Sequence, residues 1–197
     1  SVTPVFVPPG AAQGRAEDIA SGYAASLALG VGQFCTNPGI LLAPRGSALV
    51  EATGQALRDV SPAPMLNERI AQGYADGLQR LRGIDGVRVV VDGGSGAEPA
   101  PSLLAVDAAV FADVEELSQE CFGPVSLVVE YDTEEQALAI ADGLEGQLTA
   151  TVHGDADEPV AAALLATLAG KAGRVLWNDW PTGVAVTYAM QHGGPYP

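Results

Sequence analysis

Apolar positions along this chain follow two alternating rhythms. In residues 15–29, RAEDIASGYAASLAL, Ile19, Tyr23 and Leu27 recur every fourth position with alanines between them, which predicts an amphipathic helix. The same rhythm returns in PMLNERIAQGYADGLQRLRGI, where Ile70, Tyr74, Leu78 and Leu81 share one face. Further helices are predicted up to residue 57, with Ser47 as a candidate N-cap, then over 133–144 and 157–170. Between these stretches lie apolar runs of strand length: PVFVPPG near the start, then 39–43, 87–91, 125–131, 147–154 and 173–178. The apolar run LLAVDAAVF occupies 103–111, after the turn-rich DGGSGAEPAPS. Strands alternating with helices predict an α/β layered domain with a mostly parallel sheet.

Composition narrows the function classes. A chain of 197 residues has room for one domain with a sizeable core. The net charge of −15, from 24 acidic and 9 basic side chains, disfavours nucleic acid or an anionic membrane as a partner and reads first as a solvated acidic surface. Apolar runs are broken by charge well short of a membrane span, and SVTPVFVPPG lacks the basic start of a signal peptide. The two cysteines, Cys35 and Cys121, form neither a disulfide framework nor a zinc pattern, so free thiols and a cytoplasmic location are expected.

Cofactor loops are weak here. GSGAEP at 94–99 has Pro99 where a dinucleotide fingerprint needs its third glycine, and GVGQFC at 30–35 has Cys35 there. His153 and His192 stand apart in sequence from any thiol or carboxylate at ligand spacing, so no metal site is predicted. The stretch GQFCTNPGI is different. A thiol set among Gln33, Thr36, Asn37 and glycines is unlike a packing cysteine, and the glycines leave the Cys35 N–H free to face a developing oxyanion. Local chemistry leaves a reactive Cys35 and an inert one both open, whereas Cys121 reads first as filler beside Phe122.

Three segments in order resemble the aldehyde dehydrogenase family: GQFCT its cysteine signature, ECFGPV its Glu-x-Phe-Gly-Pro-Val segment, and GRVLWN its Gly-x-Val-x-x-Asn strand. PVFVPPG, GQFCTNPG and WPTGVAVTYAMQHGGPYP resemble most the branch that oxidises 2,5-dioxovalerate, a semialdehyde. The resemblance implies a catalytic domain over residues 1–197, cut at both ends from a longer enzyme, with the Rossmann cofactor domain and the general-base Glu absent. It implies Cys35 as nucleophile, Glu120 at a ribose of NAD or NADP, and Phe122 beside the nicotinamide. Most of the cofactor is then bound by the absent domain, and the intact enzyme is expected to be a homo-oligomer.

Phe34, Thr36 and the Trp180–Val184 segment, with Thr182, are candidates for the aldehyde tunnel or equally for the core. Asn178 is a candidate support of the cysteine loop or a strand-end cap. Two other readings remain beside the dehydrogenase. One is a remnant domain without catalysis; the other is a thiol hydrolase pairing Cys35 with a histidine, weakened because the resemblance gives neither histidine a catalytic part.

Overall fold

The computed structural model describes residues 1–183, 187–190 and 192–195. Seven strands form one sheet: β1 (Pro4–Phe6), β2 (Ile40–Pro44), β3 (Arg88–Val91), β4 (Ser102–Asp107), β5 (Val125–Tyr131), β6 (Gln147–Val152) and β7 (Ala172–Trp177). Their order is β3-β4-β5-β2-β1-β6-β7. All neighbours are parallel except β3 and β4, which are antiparallel. The α/β class and the mostly parallel sheet therefore hold.

Helices cover both faces, which is why the central strands are apolar without alternation. All seven residues of β5 are buried. Val5, Leu41, Ala43, Leu103 and Val128 point to one side. There they meet α1 (Pro9–Gly14), α2 (Ala16–Ala28) and α3 (Leu49–Arg58). Phe6, Ile40, Leu42, Leu104, Leu127 and Val129 point to the other. They meet α4 (Glu68–Arg82), α5 (Ala108–Asp113), α6 (Glu134–Gly143) and α7 (Pro159–Ala169). The predicted stripes of α2 and α4 are the faces so buried: Ile19, Tyr23 and Leu27 in one, Tyr74, Leu78 and Leu81 in the other.

Local differences have local causes. LLAVDAAVF does not stay in one element: β4 ends at Asp107 and α5 begins at once, the charge closing the strand. Ser47 is not an N-cap; its N–H donates to Pro44 O at 3.2 Å in the turn before α3. Asn67 caps α4 instead, its Oδ1 accepting from the Ile70 N–H at 3.0 Å. Among the described residues, no helix is long and apolar enough to cross a membrane.

Candidate active site

The parallel strands β5, β2, β1 and β6 bring their N-terminal ends together at one edge of the sheet. The loops entering that edge carry the chemistry: residues 33–39 lead into β2, residues 119–124 into β5, Ser1–Thr3 into β1, and Gln147 opens β6. Open α/β sheets more often bind ligands beyond their carboxyl ends. Here the reactive side chains lie at the opposite edge.

The cysteine loop begins in an unusual turn. Gly30, Val31 and Gly32 take positive φ of 56°, 57° and 65° in succession, reversing the chain at the end of α2. For Val31, a β-branched residue, this conformation is strained. At Gly32 a glycine is required twice over, by its φ and because a Cβ would enter the backbone of Gly123 in the facing loop. The two motif loops thus touch main chain to main chain. Asn37, buried behind the cysteine, donates from Nδ2 to Gly123 O at 3.2 Å and ties them again.

Two further side chains fix the loop. Gln33 Oε1 accepts from the Leu66 N–H at 2.9 Å, while its Nε2 donates to Gly30 O at 3.0 Å. Tyr23, fully buried, donates to Pro38 O at 2.9 Å and lies 2.5 Å from Ser126 Oγ. Burial pushes its phenol far above the usual range, so it stays a donor. The thiol itself is exposed on this framework. Among the described residues the Cys35 N–H has no hydrogen-bond acceptor, the arrangement an oxyanion donor needs.

Across the gap, Phe34, Asn37, Glu120 and Phe122 line one small cavity of about 30 Å³. Phe34 and Phe122 keep 39% and 37% of their surface exposed. Glu120 is open to solvent. Gln147 braces the adjoining strand: its buried Oε1 accepts from the Val2 and Thr3 N–H groups at 3.0 and 3.2 Å.

Several expected site residues are elsewhere. Thr36 directly follows Cys35 but is buried. Asn178 does not support the cysteine loop. It follows β7, whose six residues carry the chain roughly 20 Å to the other sheet edge. There its side chain bonds both main-chain groups of Gly154 at 3.1 Å, with its own φ at 52°. Trp180 also packs away from Cys35, 4.2 Å from the His153 ring and 6.1 Å from Tyr23, centroid to centroid. Thr182 sits 2.7 Å from Ser26 on α2, as the chain returns along that helix. Val184 lies outside the described residues.

His192, 157 positions from Cys35 in sequence, places its Nε2 at 3.6 Å from the Cys35 Sγ. The other histidine, His153, is buried at the far edge, its Nε2 without a partner among the described residues. Burial, aided by the Arg15 charge and opposed by Asp179, pushes His153 down to about 4.

The unfolded chain takes up that proton below about 6.5, the folded chain only near 4. His153 is therefore expected to cost the fold about 1.4 kcal/mol per pH unit as pH falls through this window, and nothing above it. Urea melts at pH 7 and 4.5 check this: His153→Phe, which keeps a ring against Trp180, should lose less stability between the two than the parent protein.

The two thiols should also separate. Burial, with Glu120 adding and Arg80 opposing, pushes Cys121 up to about 11, whereas the Cys35 thiol is exposed. Brief iodoacetamide labelling at pH 7.5 is expected to modify Cys35 about 100-fold faster than Cys121, and peptide mapping reads the ratio. Preferential labelling of Cys121 contradicts the arrangement described.

The sequence pattern of the aldehyde dehydrogenase family matches residues 12–195. The chain belongs to the aldehyde dehydrogenase family. It is 42% identical over 204 residues to the alpha-ketoglutaric semialdehyde dehydrogenase 2 of Azospirillum brasilense, covering 100% of this chain and 39% of that protein. It is 39% identical over 205 residues to the alpha-ketoglutaric semialdehyde dehydrogenase of Acinetobacter baylyi, with the same two shares. The chain thus spans about two fifths of the length of these curated aldehyde dehydrogenases. Its fold matches a crystal structure of an indole-3-acetaldehyde dehydrogenase complexed with NAD+, at TM-score 0.77 and 22% identity, over 98% of this chain and 40% of that one.

Proposed function

We propose that this chain is the cysteine-bearing part of an NAD(P)+-dependent dehydrogenase that oxidises a semialdehyde, with 2,5-dioxovalerate going to 2-oxoglutarate. One observation carries the reading: an exposed Cys35, whose main-chain N–H has no acceptor among the described residues, on a loop locked by Gly32 and Asn37 to the loop bearing Glu120 and Phe122. The two relatives at 42% and 39% identity, both named for α-ketoglutaric semialdehyde, support the substrate class.

The residues divide the work as follows. The Cys35 thiolate adds to the aldehyde carbon, forming a C–S bond while the carbonyl pair moves onto oxygen, and the Cys35 N–H donates to that oxyanion. When bound, NAD(P)+ would supply the hydride acceptor, and Cys35 would carry the acyl group as a thioester for water to cleave. Glu120 accepts a hydrogen bond from a ribose hydroxyl. Phe122 presents a ring face to the nicotinamide, and Phe34 borders the aldehyde's approach.

These residues fit one end of a dinucleotide and no more. Glu120 supplies one hydrogen-bond acceptor and Phe122 one ring. The phosphate contacts and the base for thioester hydrolysis are accordingly assigned to sequence outside this chain, in a Rossmann domain of the same parent protein. In the cell the enzyme is proposed to be cytoplasmic and homo-oligomeric.

The test is a steady-state assay of the full-length encoded protein with 2,5-dioxovalerate and each nicotinamide cofactor, against succinic semialdehyde and benzaldehyde as comparators. The expected result is the highest kcat/KM for 2,5-dioxovalerate. Equal or better use of benzaldehyde overturns the substrate, and no aldehyde oxidation overturns the activity.

A further inference from the structure

The C-terminal segment crosses the sheet edge that holds Cys35, and close main-chain contact seats it there. A side chain at Gly146, Gly173 or Gly194 would run into the backbone of Pro195, Gly193 or Gln147 respectively. Residues 193–195 therefore lie directly against the start of β6 and β7. His192 immediately precedes this seated stretch. Its Nε2 stands 3.6 Å from the Cys35 Sγ, within the range of a sulfur hydrogen bond. Both groups are exposed, so neither is held by the apolar core.

We propose that His192 is a positioning residue for the Cys35 nucleophile: its Nε2 takes the thiol proton, and the resulting imidazolium holds the thiolate by a charge-assisted hydrogen bond. The reading rests on Cys35 being the nucleophile. The S–H bond breaks, the proton moves to Nε2, and the electron pair stays on sulfur. No oxidant or other reactant takes part. When the thiolate adds to a carbonyl, the imidazolium has a proton to return to the oxygen or to solvent.

Geometry separates this from a packing role. Of the chain's two histidines, His153 lies at the far sheet edge against Trp180 and cannot substitute. An exposed thiol with no base is only a few per cent thiolate at pH 7. Converting most of it to thiolate multiplies the reactive form more than tenfold, offset in part because a more acidic thiol is intrinsically less nucleophilic.

The experiment measures alkylation of Cys35 in the full-length protein at pH 7, by neutral iodoacetamide and by anionic iodoacetate, with peptide mapping to isolate Cys35. Three forms are compared: the parent, His192→Ala and His192→Gln. Both variants are expected to label about tenfold more slowly with iodoacetate. The iodoacetate-to-iodoacetamide ratio should also fall, because the adjacent positive charge is gone. A purely structural role would not move that ratio. Added imidazole should restore part of the rate in His192→Ala and leave the parent unchanged.

Labelling within twofold of the parent in both variants, with the ratio unchanged, overturns the proposal. If the alanine variant fails to fold by circular dichroism, the glutamine variant decides alone. The nucleophile reading is judged separately, by aldehyde oxidation in a Cys35→Ala protein. Loss of oxidation there, with His192 variants labelling normally, removes the imidazole's role and keeps the nucleophile. Oxidation that survives Cys35→Ala removes the nucleophile.

Discussion

Replacing Cys35 with alanine in the full-length protein is expected to lower kcat for aldehyde oxidation by a factor on the order of 10⁴ to 10⁶, the scale of losing a covalent nucleophile. No other group on the described residues can take its place. Cys121 sits on the facing loop, half-buried, with its thiol pushed up to about 11 by burial. The fold should barely register the change: an exposed side chain away from the core contributes within about 0.5 kcal/mol. Activity and melting temperature measured together make the test sharp. A large loss of turnover with an unmoved melting temperature is the expected pair. Retained turnover contradicts the role of Cys35, and a collapsed melting temperature shows a structural role instead.

The 197-residue chain by itself is expected to show no NAD(P)+-dependent oxidation of 2,5-dioxovalerate, even with Cys35 intact. Hydride transfer needs donor and acceptor held in contact and aligned, and good positioning of this kind is worth roughly 7–11 kcal/mol of barrier. Glu120 and Phe122 offer one acceptor and one ring face. That is too little to offset the translational and rotational freedom a whole dinucleotide loses on binding. Addition of Cys35 to an aldehyde requires none of this, so a reversible adduct on the isolated chain is still expected. Absorbance of the reduced nicotinamide follows turnover, and mass spectrometry after borohydride trapping follows any adduct. Cys35-dependent turnover at the rate of the full-length protein would show that the chain holds its own cofactor site.

The sequence by itself determined the layered α/β class, because the two apolar rhythms are local. Ile19, Tyr23 and Leu27 read as one helical stripe without knowledge of what they touch, and VSLVVEY reads as a strand buried on both faces. It also marked GQFCT and ECFGPV, whose glycines are needed for the main chains to approach, as at Gly32 against Gly123.

Only the tertiary structure decided which of the marked residues share a site. Strand direction separates Asn178 and Trp180 from Cys35, since a parallel strand carries whatever follows it to the opposite edge, and no local pattern reveals that distance. The same applies in reverse to His192. It is remote in sequence, in a segment without periodicity, and yet stands 3.6 Å from the thiol. Asn37, Gln33 and Tyr23 hold the cysteine loop through partners on other elements. Their hydrogen bonds exist only once the sheet order β5-β2-β1-β6 has set those elements side by side. Propensity and periodicity are properties of neighbours in the chain; a site is a property of neighbours in space.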